Sequence, residues 1–323
     1  MRRAVASAPG KVILFGEHFV VRGAPSIVSS ICRRVYVEVR PGGSAFRVES
    51  PRLGISEDMR PEEALDAGGR LAPLAGVLRW FRERYGVLPG PAAVRVRSEL
   101  PVGAGLGSSA AFAAAFSLAY AWSHGIGLGL EELEEAALEA EKIAHGRPSG
   151  IDTAIAVRGG SLLYRRGERP RRLRLSLPGG VDLIVADSGV GRSTREVVED
   201  VLRRADLVPG VSGLIYEAAS RIVEEALGAF ERGDAGLLGE LMDLNHGLLN
   251  AMGASSEVLE RLVFAARRAE ALGAKLTGAG RGGSVIVLSR ARVTRGVVEA
   301  LRGAGAREVF VAGLGCEGAR LEA

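Results

Sequence analysis

The chain has 323 residues, 47% of them hydrophobic and 25% charged, enough to bury a large core and, at roughly 100–200 residues per domain, to form two domains rather than a disordered or fibrous chain. Its 42 basic and 38 acidic side chains leave a net charge of +4, so the high pI reflects arginine excess, not a chain built to bind nucleic acid. Only Lys11, Lys142 and Lys275 are lysines, against 39 arginines, so each lysine stands out.

Cys32 and Cys316 are the two cysteines. A chain this long and apolar does not need disulfides, so a reducing compartment is expected and a cysteine metal cluster is excluded. The opening MRRAVASAPGK is interrupted at Pro9, before an apolar signal core could form. The longest apolar run, Ala110 to Trp122, is 13 residues including Ser117, short of the ~20 that span a membrane. The expected location is cytoplasmic, with neither membrane nor nucleic acid as a partner.

In chain order, RVYVEVR (34–40) and AVRVR (93–97) alternate as strands do, while 71–85, 109–123 and 131–144 carry apolar residues at helical spacing. The basic cluster Arg165, Arg166, Arg169, Arg171, Arg172 and Arg174 reads as a solvated strand-turn-strand or as a phosphate contact. VDLIVA (181–186) is a buried-strand run, and the chain is then mostly helical from Ser193 to about Leu272. It closes with a strand, a glycine turn, a strand, a helix over 293–302 and a strand over 308–312. Strand and helix do not alternate regularly, so the class is α+β, with a domain boundary near residue 180 that divides the chain into 1–180 and 181–323.

Glycine-rich segments carry the chemistry. PGKVILFGEHFVVRG (9–23) sets Lys11, Glu17 and His18 around a strand; a lysine in an arginine-rich chain suggests a need for a compact ammonium rather than a planar fork. SELPVGAGLGSSAA (98–111) places Gly103, Gly105 and Gly107 before paired serines and a helix. Glycines let amides approach an anion and adopt positive φ, the helix start adds partial positive charge, and a serine there can ligate Mg²⁺. A tight turn with Ser108 or Ser109 as N-cap is the plain alternative. EKIAHGRPSGIDTAI (141–155) breaks a helix at Gly146 and Pro148 and starts another at Ser149. Glu141 and Asp152 there read as a helix edge and a capping partner, or as the two carboxylates of phosphoryl transfer, one for metal and one for the acceptor hydroxyl. Gly278, Gly280 and Gly283 spell GxGxxG, but the following SVIVL is a strand, whereas a dinucleotide fingerprint opens a helix.

Taken together, GEHFVVRG (16–23), the phosphate loop, HGRPSGID (145–152) and DSGVGRSTR (187–195) resemble the GHMP kinase superfamily along essentially the whole chain, and most of all its mevalonate-phosphorylating branch. The resemblance implies an N-terminal α+β nucleotide domain and a ferredoxin-like C-terminal domain with the active site between them. It implies ATP and Mg²⁺ as cofactors and mevalonate as the small-molecule partner, with a homodimer as the assembly to test. By residue, it makes Asp152 the catalytic base and Lys11 its partner. Pro101, Gly103, Ala104, Gly105, Leu106, Gly107, Ser108, Ser109, Gly278 and Gly280 line the phosphates, Ser109 and Glu141 hold the metal, and Glu17, His18 and Thr194 face the acceptor. Arg281 stands where the family commonly has Gly or Ser. Phosphomevalonate as acceptor, or an ATP-binding sensor without turnover, are the alternatives.

Overall fold

The computed structural model describes residues 2–145, 150–191 and 193–322, apart from the side chains of 144 and 145. The predicted helix break at Gly146, Pro148 and Ser149 lies outside the described residues. The N-terminal sheet contains β1 (Ala4–Phe15), β2 (Ser26–Pro41), β3 (Phe46–Ser50), β4 (Ile55–Met59), β5 (Ala92–Ser98), β6 (Ser161–Tyr164) and β7 (Arg171–Leu173), interleaved with α1 (Ala72–Tyr85), α2 (Ser108–Ser123), α3 (Leu130–His145) and α4 (Ile151–Arg158). A second sheet comprises β8 (Val181–Asp187), β9 (Gly273–Thr277), β10 (Ser284–Arg290) and β11 (Glu308–Ala312). Its helices are α5 (Thr194–Leu207), α6 (Pro209–Arg232), α7 (Ala235–Ala251), α8 (Glu257–Arg268) and α9 (Thr294–Gly303), and β12 (Arg320–Leu321) ends the chain.

The first sheet runs β12-β1-β2-β5-β3-β4, with the β6–β7 hairpin paired to β2. The second runs β11-β8-β10-β9 and is antiparallel throughout. Numbered within the second half, that order is 4-1-3-2, as the ferredoxin-like expectation requires. The alanine-rich run on α2 is buried on nearly every side, because small side chains let the sheet and two helices close on it. Gly76 of α1 allows the same closeness: a Cβ there would lie 2.9 Å from the Ala140 Cα on α3. Among the described residues no helix is long and apolar enough to cross a membrane.

The chain's last segment is the exception to a second unit over 181–323. β12 pairs with β1 in the N-terminal sheet, and the buried Arg34 side chain donates to the Glu317 and Gly318 carbonyls at 2.8 and 2.6 Å. Cys32 on β2 and Cys316 form a disulfide with Cα atoms 5.4 Å apart. This corrects the expectation of reduced cysteines. The bridge does not replace a core; it staples a returning tail across 284 residues of sequence, where loop closure has its largest effect on the unfolded chain. Cys32→Ser with Cys316→Ser is expected to lower stability by ~2–4 kcal/mol, read as a lower denaturant midpoint than the oxidised protein, with reductant affecting only the latter.

Candidate active site

All three glycines of the phosphate loop adopt left-handed backbone: φ is 71° at Gly103, 77° at Gly105 and 73° at Gly107. Only glycine does this without strain, which explains their alternate spacing. Gly107 itself occupies the N-cap of α2, and no side chain caps that helix. The capping reading of Ser108 and Ser109 therefore fails, and the first-turn amides point outward with the positive end of the helix dipole. The Ser109 hydroxyl is buried without a hydrogen-bond partner among the described residues, and a buried hydroxyl of that kind is costly unless a ligand completes it.

Lys11 lies beneath this loop. Its backbone N–H donates to the Leu106 carbonyl at 2.9 Å, and a Cβ on Gly107 would come within 2.8 Å of the lysine stem. The largely buried Lys11 side chain ends 3.2 Å from Asp152 Oδ1, whose own side chain is 32% exposed. Asp152 sits in the first turn of α4, after Gly150 at φ 77°. The two predicted catalytic residues are thus brought together, with the carboxylate partly exposed.

Glu141, near the end of α3, is 5% exposed. Burial above all, then the Asp152 charge, raises its pKa to about 7, while Lys11 acts in the opposite sense. A buried carboxylate held beside another is poised to accept a cation. With the unpartnered Ser109 hydroxyl it offers hard oxygen donors of the kind Mg²⁺ takes alongside phosphate oxygens.

The C-terminal half closes the site through the β9–β10 hairpin. Ala279 O lies 2.7 Å from His18 Nε2, Ser284 Oγ donates to the phosphate-loop carbonyl of Ala104 at 3.0 Å, and Gly283 N–H donates to Val190 O at 2.9 Å. Gly280 is backed directly against the Ala254 carbonyl, 1.9 Å from where a Cβ would stand. Arg281, at φ 53°, turns away from the phosphate side: it donates to Gly253 O at 2.9 Å and to Asp200 on α5 at 2.6 Å. It is a strut between the hairpin and the helix that Thr194 begins. Thr194 itself is exposed at the first position of α5.

Glu17 and His18 are both buried, at 1% and 6% exposure. Glu17 Oε1 pairs with Lys275 Nζ in complete burial, and Lys275 also donates to Leu276 O at 2.7 Å. Burial raises the Glu17 pKa against the opposing pull of Lys275 and lowers that of Lys275. Around them Ile13 exchanges both backbone hydrogen bonds with the Thr277 hydroxyl, each at 3.0 Å, and Gly16 N–H donates to buried Asn245 Oδ1 at 3.1 Å. The end of β1 is in this way sewn to β9 and α7. Lys142, by contrast, is an exposed partner of Glu139.

Sequence reasoning missed several contributors. Arg307 donates to Asp187 at 2.6 Å and to the phosphate-loop carbonyl of Val102 at 3.2 Å, tying the second sheet to the loop. Asn245 and His246 are buried polar residues inside the apolar pattern of α7, the signal that could have flagged them. A 240 Å³ cavity opens beside the loop, lined mainly by apolar groups including Val48, Ile55, Val96, Leu100 and Phe112, with Ser108 and Ser109 at its edge.

Two α+β halves meeting over an uncapped, glycine-rich helix start with a Lys–Asp pair define a small-molecule kinase architecture, and sequence comparison agrees. The chain belongs to the GHMP kinase family: the model "GHMP kinases N terminal domain" matches residues 73–160 and "GHMP kinases C terminal" matches 226–313. Several of its full-length relatives are mevalonate kinases. It is 50% identical to the Aeropyrum pernix mevalonate kinase, covering 100% of this chain and 99% of the relative. It is 36% identical to that of Pyrococcus abyssi, covering 99% and 98%. The crystal structure of L. major mevalonate kinase in complex with R-mevalonate superposes with a TM-score of 0.81 at 29% identity, covering 98% of this chain and 97% of that one. The Methanococcus jannaschii mevalonate kinase gives 0.85 at 25% identity, covering 96% and 98%.

Proposed function

We propose that this chain is a mevalonate kinase of the cytoplasm, transferring the γ-phosphoryl group of ATP to the 5-hydroxyl of mevalonate to give 5-phosphomevalonate and ADP. The observation that carries the reading is the Lys11–Asp152 pair, 3.2 Å apart directly under the open start of α2. Asp152 accepts the hydroxyl proton as the oxygen attacks phosphorus, and Lys11 holds the carboxylate in place while countering charge that develops on the transferring group. Amides of Gly103 to Ser109 bind the phosphates, and the apolar cavity beside Ser108 and Ser109 suits the nucleotide base. Ser109 and Glu141 would hold Mg²⁺, which would supply neutralisation of the phosphate charge. On this reading His18, fixed against Ala279, and Thr194 bound the acceptor side, and Glu17 acts through its pair with Lys275. The alternative of a turnover-free sensor is disfavoured because the base, the lysine and Glu141 stand together, with an unpartnered Ser109 hydroxyl at the phosphate loop. ADP release measured in parallel with mevalonate, phosphomevalonate, homoserine and galactose tests the reading: turnover is expected with mevalonate, and turnover with another acceptor alone would overturn it.

Glu141 provides a test with opposite signs. Its folded pKa of about 7 lies above the ordinary glutamate value of about 4.5, so the charge costs stability fully above pH 7 and nothing below the unfolded value. Glu141→Gln is expected to stabilise the metal-free protein at pH 8 by at most ~3 kcal/mol, read as a higher melting midpoint. The gain should vanish near pH 4.5, and Mg²⁺-dependent turnover should fall. Calorimetry at both pH values and a Mg²⁺ titration of the rate check both signs.

A further inference from the structure

The basic hairpin between β6 and β7 is not used by the proposed reaction. From Arg172 onward exposure alternates: Leu173, Leu175 and Leu177 are half-buried and pack against the core, while Arg172 and Arg174 are exposed. Arg165 is near Glu168 at 3.7 Å and Arg166 donates to Val21 O. Arg169, Arg171, Arg172 and Arg174 have no carboxylate partner among the described residues, in a molecule where surface arginines are widely paired. Arg172 and Arg174 flank a 650 Å³ cleft whose other sides are Gly160, Ser161 and Gly315. None of these residues lines the apolar cavity beside the phosphate loop.

The far wall of the cleft is firmly built. Gly315 N–H donates to Ser30 O at 3.0 Å and lies 3.1 Å from Ser29 Oγ. The Cys316 carbonyl accepts from Gly160 N–H at 2.9 Å and from Ser30 Oγ at 2.7 Å, next to the disulfide. The Arg172 guanidinium passes over Gly160, 3.5 Å from where a Cβ would stand. Two arginines two residues apart rise by about 6.6 Å, a spacing at which both planar forks can reach the phosphoryl groups of one ligand.

We propose that this cleft is a second anion site, taking a small molecule that carries two or three linked phosphates. Arg172 and Arg174 supply the charge and the fixed wall of Gly160 and Gly315 supplies shape. The test is calorimetric titration of the full chain with inorganic tripolyphosphate at 0.15 M salt, where non-specific surface attraction is screened. Two sites are expected in the unmodified protein, one of them at the phosphate loop. Arg172→Ala with Arg174→Ala should weaken the other site by at least ~10-fold and leave kcat and KM unchanged. Arg290→Ala with Arg292→Ala, exposed arginines elsewhere, should change neither site. A single site in the unmodified protein, two undiminished sites in the Arg172/Arg174 variant, or equal weakening in the Arg290/Arg292 control would overturn the proposal.

Discussion

Asp152→Asn is expected to lower kcat by about 10²–10⁴-fold, the usual worth of a positioned base, with the KM for ATP little changed. The substitution keeps the side chain's shape and its approach to Lys11 but removes the ability to accept a proton. It should leave the phosphate loop intact, because Asp152 belongs to α4 while the loop is held by Lys11 N–H, Ser284 Oγ and Arg307. A second signature follows from electrostatics. The Asp152 charge is one cause of the raised pKa of Glu141, so neutralising it should lower that pKa and let Mg²⁺ bind at more acidic pH than in the unmodified protein. Rapid-quench kinetics with a Mg²⁺ titration across pH 5.5–8 reads both effects. A near-normal kcat would remove Asp152 from the chemistry.

Lys275→Met is expected to be the most damaging single change to stability. Lys275 and Glu17 are both inaccessible, and Glu17 Oε2 has no other partner among the described residues. Removing the ammonium strands a fully buried carboxylate. Breaking one side of such a pair costs ~3–5 kcal/mol, or roughly 6–10 °C in melting temperature at about 2 °C per kcal/mol for a chain of this size. Adding Glu17→Gln to the Lys275→Met background removes the stranded charge and should recover at least half of the loss. If Lys275→Met melts with the unmodified protein, or the double variant is worse than the single, the buried ion pair does not hold the seam between β1 and β9.

The two features argue differently about what sequence can reveal. The phosphate loop was legible because its chemistry is local: Gly103, Gly105 and Gly107 each need positive φ, and the helix that follows announces itself by composition. The strand runs at 181–186 and 308–312 were legible because each is short and mostly apolar, rich in valine, and both became strands. Lys11 stood out by lysine scarcity and Asp152 by its place at a helix break, but only the resemblance paired them, since no local pattern brings β1 to the start of α4. The Lys275–Glu17 pair, the Arg307 tie to Val102 and the Arg281 strut to Asp200 were not legible. Each joins segments far apart in sequence, and nothing in a lysine or arginine's neighbours says whether it faces water or a carboxylate folded against it. The disulfide was missed for the opposite reason: a general rule about long apolar chains outweighed two cysteines, one of them on a tail whose return to the first sheet is a property of the fold.

The most direct test of the proposed reaction is the position of the phosphate in the product. Coupled phosphorus NMR of the acid-stable product made from ATP and mevalonate is predicted to show a phosphomonoester split by the two protons of the C5 methylene. A phosphorus signal without proton coupling, as expected of an ester at the tertiary 3-hydroxyl, or no organic phosphate at all despite ADP formation, would contradict the assignment.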